Sequence, residues 1–407
     1  MRISDKKGKL SELISPRRDI LRPIYNWHSF KHSYSKDLVD VFIDEFNLKK
    51  GSWVMDPFCG GGTTLLACKQ AGINSLGLDI LPFSVFLSNV KTSNHNIGEI
   101  KSLRRKLGDE ELPAHSSFSL ADVPIATKAF SVPVRNKLLR IRQAIHDLEP
   151  ANARDFFNLA FLSILESVSN TAKAGAFLRM VERKINPGEV KSIFLSKVDC
   201  MIADLAAICQ VDRKKEGNAS AISGDARKIE GSRLYDAVIT SPPYPNRHDY
   251  TRIYSLELFF DFVKGQKDLK QIRYDTLRSH VEARKRFDAH GYEEPKKLRN
   301  LIERIDKNGT NNSKVLEMLE GYFEDMFLVL SQIRKHLKKR GKVALVVSNV
   351  SFAGIRVPVD QLLAEIGEQA GLTTTGVWLA RYRGNSSQQM GTYARQPSRE
   401  SVVIWEN

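Results

Sequence analysis

Cysteine is scarce in this chain. Four occur in 407 residues, none paired as Cys-x-x-Cys and none beside a histidine cluster, which argues against a disulfide framework and a zinc site. No apolar run approaches the roughly 18 residues of a membrane span. The opening Met1-Arg-Ile-Ser-Asp-Lys-Lys is too polar for a secretory signal. A soluble, unexported protein of the reducing cytoplasm is expected, with no metal and no membrane contact. Acidic residues are in deficit, 47 against 62 Lys and Arg, and the resulting charge of +15 and pI near 9.5 favour a polyanionic partner. Excess charge of this kind also serves solubility.

Short apolar runs alternate with helical periodicity, which predicts a largely parallel sheet covered on both faces. Strands are expected near Trp53–Met55, Ser75–Leu78, Ala219–Ser223, Ala237–Thr240 and Lys342–Ser348, with a closing pair at Thr373–Ala380 and Ser401–Trp405. Helices are expected at Ser35–Phe46, Gly62–Gln70, Met318–His336 and Val359–Gln369. The interval 98–217 is far longer than an ordinary crossover. Helical periodicity at Val132–Leu148, Arg154–Val168 and Glu189–Cys209 makes it an inserted helical domain, with the polar turn Ser169–Arg179 as a loop or DNA-facing rim. Phe156-Phe-Asn-Leu-Ala-Phe-Leu has the density of a buried helix.

Gly51-Ser-Trp-Val-Met-Asp56-Pro-Phe-Cys-Gly60-Gly-Gly-Thr-Thr reads as a strand, a glycine loop and a helix start. Such a loop lets the backbone approach a ligand, and the free N–H groups can meet a carboxylate or hydroxyl. Asp79, about 20 residues beyond the loop at the tip of the next strand, occupies the ribose-hydroxyl position of a nucleotide-binding sheet. The glycines are contiguous, without G-x-G-x-x-G spacing, so a nicotinamide enzyme is disfavoured.

Thr240-Ser-Pro-Pro-Tyr244 follows the strand-like Tyr235-Asp-Ala-Val-Ile. An exocyclic amine on a nucleobase is a poor nucleophile, because its lone pair is delocalised into the ring. A serine oxygen and a proline carbonyl can accept from its two N–H groups and localise the lone pair toward a methyl donor. The prolines fix φ and aim these acceptors in advance, and the tyrosine can stack on a base turned out of the duplex. Alone, the loop fits a plain proline turn equally well.

Together the two loops resemble the S-adenosylmethionine-dependent amino-methyltransferases of DNA. That family's signature pairs an Asp-Pro-Phe-x-Gly-x-Gly-Thr-Thr loop with a Ser/Asp/Asn-Pro-Pro-Tyr loop. The likeness covers Tyr25–Ile80 and Ala219–Leu258 well and the remainder loosely. It implies an α/β, doubly wound, mostly parallel seven-stranded Rossmann-like methyltransferase sheet with a helical insertion. S-adenosylmethionine would then be held by Tyr34, Ser35, Asp56, Phe58, Cys59, Gly60, Gly62, Thr63, Thr64, Asp79, Asp225 and Ala226. Ser241, Pro242, Pro243 and Tyr244 would form the catalytic loop. Asn246, Arg247, Asp249, Tyr250, Arg383 and Asn385 would contact the substrate.

The corresponding division is a catalytic part at 1–97, the insertion at 98–217, the Ser-Pro-Pro-Tyr part at 218–264, a basic helical segment at 265–312 and a C-terminal catalytic part at 313–407. The segment 265–312 reads as poor in apolar periodicity, either a solvated face or a DNA contact. The polar stretch Arg381–Arg395 is a second candidate for reading DNA.

Double-stranded DNA is the partner the resemblance implies, with the target base flipped. It allows a cognate restriction endonuclease, a nucleoid location, and either a monomer or a homodimer. Serine at the first loop position leans toward cytosine N4, with adenine N6 as the alternative. An RNA amino-methyltransferase and a non-catalytic DNA-binding subunit rank lower. Methylation of the cytosine ring would require a cysteine nucleophile, usually after proline, and none of Cys59, Cys68, Cys200 and Cys209 follows a proline.

Overall fold

The computed structural model describes residues 3–120, 124–175, 177–208, 216–310, 312–384 and 397–407. In chain order the strands are β1 (Ile3–Asp5), β2 (Trp53–Asp56), β3 (Asn74–Asp79), the hairpin pair β4 (Thr171–Ala174) and β5 (Phe177–Met180), β6 (Ala219–Ser223), β7 (Tyr235–Thr240), β8 (Leu337–Ser348), the short pair β9 (Val350–Phe352) and β10 (Ile355–Val357), β11 (Thr373–Arg383) and β12 (Ser398–Glu406).

Eight of these form one sheet in the order β1-β11-β12-β8-β7-β2-β3-β6. Only β12 runs antiparallel to its neighbours. The expected seven strands are present, and β1 adds an eighth by pairing Ile3 with Val377. A three-residue edge strand carries too little periodicity to register in sequence.

In the central runs of β2, β7, β8 and β12 successive side chains alternate faces, and this places the core. Val54, Ala237, Ile239, Val346 and Val402 point to one face, where Leu38 and Phe42 of the helix Lys36–Glu45 cover them. Met55, Val238, Val343, Leu345 and Val403 point to the other, under the helices Lys314–His336 and Val359–Gln369. The second of these helices rests on Trp405 at Gly367, where an added Cβ would lie 2.3 Å from the indole nitrogen. Strand order, not strand direction, reverses between the parallel neighbours β2 and β7: β3 and β6 are added on one side of β2, and β7 and β8 on the other. The carboxyl ends of those adjacent strands are the topological switch point, the usual ligand crevice of an open α/β sheet.

Between β3 and β6 the chain forms helices, among them Val132–His146, Ala151–Ile164 and Val190–Ile208. Phe156, Phe157 and Phe161 are buried as expected, in a cluster shared with Trp27, Phe83 and Phe260.

Two expectations fail here. Ser169–Arg179 is not a plain polar loop, because most of it folds as the β4–β5 hairpin. The stretch 265–312 does have apolar periodicity. Leu298, Leu301, Ile302 and Ile305 line one side of the helix Lys296–Asn308 and are buried, although charged residues outnumber them around the helix.

Candidate active site

Strand β2 ends at Asp56 and β7 at Thr240, and the Thr240 hydroxyl donates to Asp56 Oδ1 at 2.6 Å. The glycine loop therefore begins beside the Ser-Pro-Pro-Tyr loop. Asp56 Oδ2 lies 3.4 Å from the Tyr34 hydroxyl, which is 2.5 Å from Thr64 Oγ1. Ser33 Oγ meets Thr63 Oγ1 at 3.1 Å, so the segment preceding the first long helix is tied to the loop's helix start.

Gly62 carries φ +75° and caps the helix Thr63–Gln70. A Cβ there would meet Ser88 Oγ at 2.8 Å, so both conformation and space require glycine. At the tip of β3, Asp79 accepts from the Gly60 N–H and the Leu81 N–H, each at 2.9 Å through a different oxygen. Each oxygen retains a lone pair for a hydroxyl donor.

These parts line one continuous cleft that encloses about 970 Å³, space open to solvent included. Tyr34, Asp56, Phe58, Cys59, Gly60, Thr63, Thr64, Asp79, Asp225 and Ala226 border it, as do Ser241, Pro243 and Tyr250. Burial pushes the Asp56 and Asp79 carboxyls up to about 6. It also raises the Cys59 thiol, which stays protonated and unreactive. The Ser241 hydroxyl donates to the Tyr244 hydroxyl at 3.3 Å and keeps its own lone pairs as acceptors.

The remaining expected residues among those described lie away from the cleft, and Asp225, which borders it, is engaged by the protein itself. Ser35 is buried with its hydroxyl on the Leu13 carbonyl at 2.8 Å, so it holds the helix entry and does not face the cleft. Asp249 is buried as well. It caps the helix Tyr250–Ile253 through the Thr251 N–H and pairs with Arg273 at 2.7 Å, which leaves it unavailable to substrate. Pro242 is buried and Tyr244 packs against the core, and neither is among the residues that line the cleft, so Tyr244 is not set to stack on a base there. Asn246 Oδ1 accepts from the His248 N–H, and Arg247 is exposed with φ +67°. Arg383 pairs with Glu400 at 2.9 Å at the end of β11, and Asn385 lies outside the described residues. Asp225 borders the cleft, yet its carboxylate is taken up by Arg227. Burial opposes ionisation, and the Arg227 hydrogen bonds override it and hold the carboxyl below its usual range.

Sequence reasoning missed one wall entirely. Thr276, Leu277, Ser279 and His280 line the same cleft, with Thr276 Oγ1 2.8 Å from His280 Nε2. Arg278, between them, is clamped by Asp325 through its N–H at 2.9 Å and its guanidinium. Asp325 also holds Arg227 at 2.8 Å. One fully buried carboxylate thus braces the wall around Arg278 and the Asp225 corner together.

A doubly wound sheet with a glycine cradle, a strand-tip acid and a proline-stiffened acceptor loop at its switch point defines an S-adenosylmethionine-dependent methyltransferase. The residues present fit that cofactor, because Gly60 to Gly62 admit close approach and Asp79 keeps acceptors free.

Comparison with known proteins gives the family. Residues 7–88 match the DNA methylase family of N6 and N4 amino-methyltransferases. The chain is 30% identical to the Type II methyltransferase M.BsoBI of Geobacillus stearothermophilus, across 97% of this chain and 88% of that one. It is 30% identical to the Type II methyltransferase M.AvaI of Nostoc sp. over the same shares. The Type II methyltransferase M.MvaI of Kocuria varians is 22% identical over 76% of this chain and 73% of its own. The chain belongs to the Type II DNA methyltransferases of the N4/N6 amino type. Among the described residues no helix is long and apolar enough to cross a membrane.

Proposed function

We propose that the protein methylates the exocyclic N4 amine of cytosine in double-stranded DNA, with the target base turned out of the helix into the cleft beside Ser241. The observation that carries this is the hydroxyl of Ser241, bordering the same cleft as Asp79 and Gly60. Because it donates to Tyr244, its lone pairs can accept from the amine.

Bound S-adenosylmethionine supplies an electrophilic methyl group. The chain's own contribution is to bind, orient and exclude water. Asp79 accepts from the ribose, Gly60 to Gly62 let the backbone close on the cofactor, and Ser241 with a proline carbonyl draws on the amine's N–H groups. Positioning of this kind supplies much of the rate, and no covalent intermediate with the protein is needed. The sulfur of Cys59, buried and protonated, has no part in it.

The first loop position supports cytosine over adenine, since serine there leans toward N4 in the resembled family. A cognate restriction endonuclease, acting in the cytoplasm on the same sequence, completes the reading.

The test is to incubate the protein with unmodified genomic DNA and labelled cofactor, digest to nucleosides and identify the labelled one by mass. N4-methylcytosine is expected. Label on adenine rejects the choice of base, and label acquired only with RNA rejects DNA.

A further inference from the structure

We infer that the β4–β5 hairpin enters the DNA stack when the target base leaves it, with the Phe177 ring filling the vacated space and Arg179 meeting the backbone. This rests on the base-flipping reading above.

The hairpin's register pairs Thr171 with Met180, Ala172 with Arg179, Lys173 with Leu178 and Ala174 with Phe177. Successive pairs alternate faces. On one face Thr171 and Lys173 are buried and turned to the body of the protein, while Met180 of the same face is 49% exposed. Phe177 and Arg179 share the opposite face, and Phe177 is 54% exposed. An aromatic ring and a guanidinium therefore stand side by side on the outside of a two-stranded ribbon. Such a ribbon is marginally stable alone, and exposing a phenylalanine on it brings no packing gain.

The inner face explains why the ribbon holds its place. Lys173 Nζ pairs with Glu257, whose Oε1 also meets His28 Nε2 at 3.0 Å. Burial alone would raise the Glu257 carboxyl, yet the Lys173 charge and the His28 hydrogen bond hold it down to about 2. Glu257 belongs to the helix Ser255–Asp261, just beyond the short helix opened by Tyr250, which borders the cleft. On its other side Lys173 Nζ lies 4.9 Å from the Tyr254 ring, and Phe30 of the cleft wall stacks on that same ring at 4.6 Å. The hairpin is thus fixed to the mouth of the site through one buried ion pair and one aromatic layer.

The occupant follows from charge and shape. From Phe177 to Lys184 the exposed charges are Arg179, Arg183 and Lys184 with Glu182 the single acid, a balance that suits a phosphate backbone. Apolar wedges inserted between base steps are the established way for proteins to stabilise an unstacked duplex.

The test uses full-length Phe177→Ala, a surface change that leaves the core intact. Turnover is measured on a genomic duplex that the wild-type protein methylates, and on the same duplex with the target base mispaired and already unstacked. On the paired duplex kcat/KM should fall on the order of 10- to 100-fold. On the mispaired duplex it should fall less than about threefold, and cofactor affinity should not move. Equal losses on both duplexes, or no loss on either, overturn the wedge. A change in molar mass by light scattering without the paired-duplex defect overturns it too, since Phe177 would then serve contact between protein copies. If the wild-type protein methylates neither duplex, the proposed function itself fails and takes the wedge with it.

Discussion

The Thr240 hydroxyl donates to the Asp56 carboxylate at 2.6 Å, joining the carboxyl ends of β7 and β2. One residue beyond Thr240 stands Ser241, and four beyond Asp56 stands Gly60. This bond is why the amine-orienting loop and the cofactor cradle open into one cleft. It also explains how Asp56 can be fully buried, since its oxygens find Thr240, Tyr34 and the Phe58 N–H.

Asp79 makes cofactor binding depend on pH. Its folded carboxyl sits near 6, above the ordinary value of 3.8. A ribose hydroxyl is held best by the ionised form, so cofactor affinity should weaken several-fold as pH falls from about 7.5 to about 5. Calorimetric titration with S-adenosylhomocysteine should show this, with Asp79→Asn binding weakly and with a flatter profile. A variant profile as steep as the wild type's would contradict the assignment.

Stability in the absence of cofactor should move the opposite way. Asp56 and Asp79 hold protons in the folded state that the unfolded chain gives up between about 4 and about 6. Denaturant midpoints should therefore fall as pH rises through that window. Substituting asparagine at either position should reduce the fall.

Gly62→Ala should damage the cradle. The change forces a side chain into φ +75° and against Ser88. Strain of this kind costs about 1–3 kcal/mol. Thermal unfolding should drop accordingly, and cofactor affinity should fall with it. Unchanged affinity would show that the loop tolerates rearrangement.

Asp325→Asn should unfold the protein more readily than any surface substitution. It leaves Arg227 and Arg278 buried and short of a countercharge, a loss of about 3–5 kcal/mol by analogy with broken buried ion pairs. Urea denaturation checks the magnitude, and a loss below about 1 kcal/mol would mean that Asp225 and Glu324 suffice.

What could be read from sequence was what is local. The glycine loop, the acid at the tip of β3 and the diproline corner each lie within a few residues of a strand end, and chemistry sits at strand ends in this fold. The helix Val359–Gln369 was legible to the residue because its apolar positions repeat cleanly. The wall formed by Thr276 to His280 was not, because its partners are distant in sequence: Asp325 of the helix Lys314–His336 holds Arg278, and the Arg247 N–H donates to the Ser279 carbonyl. Asp249 and Ser35 misled for a related reason. A polar residue next to a motif can serve a helix end as readily as a ligand, and both do so here or hold its entry. The hairpin escaped because Lys173, the most polar residue of its inner face, is buried by a partner more than eighty residues distant.

The most direct measurement is the kinetics of Ser241→Ala on cognate DNA beside its cofactor affinity. If Ser241 orients the amine, kcat should fall on the order of 100-fold while the dissociation constant for S-adenosylhomocysteine stays within about twofold. Parallel loss of both, or a variant that turns over at the wild-type rate, would mean that the loop only shapes the cleft and the amine is held elsewhere.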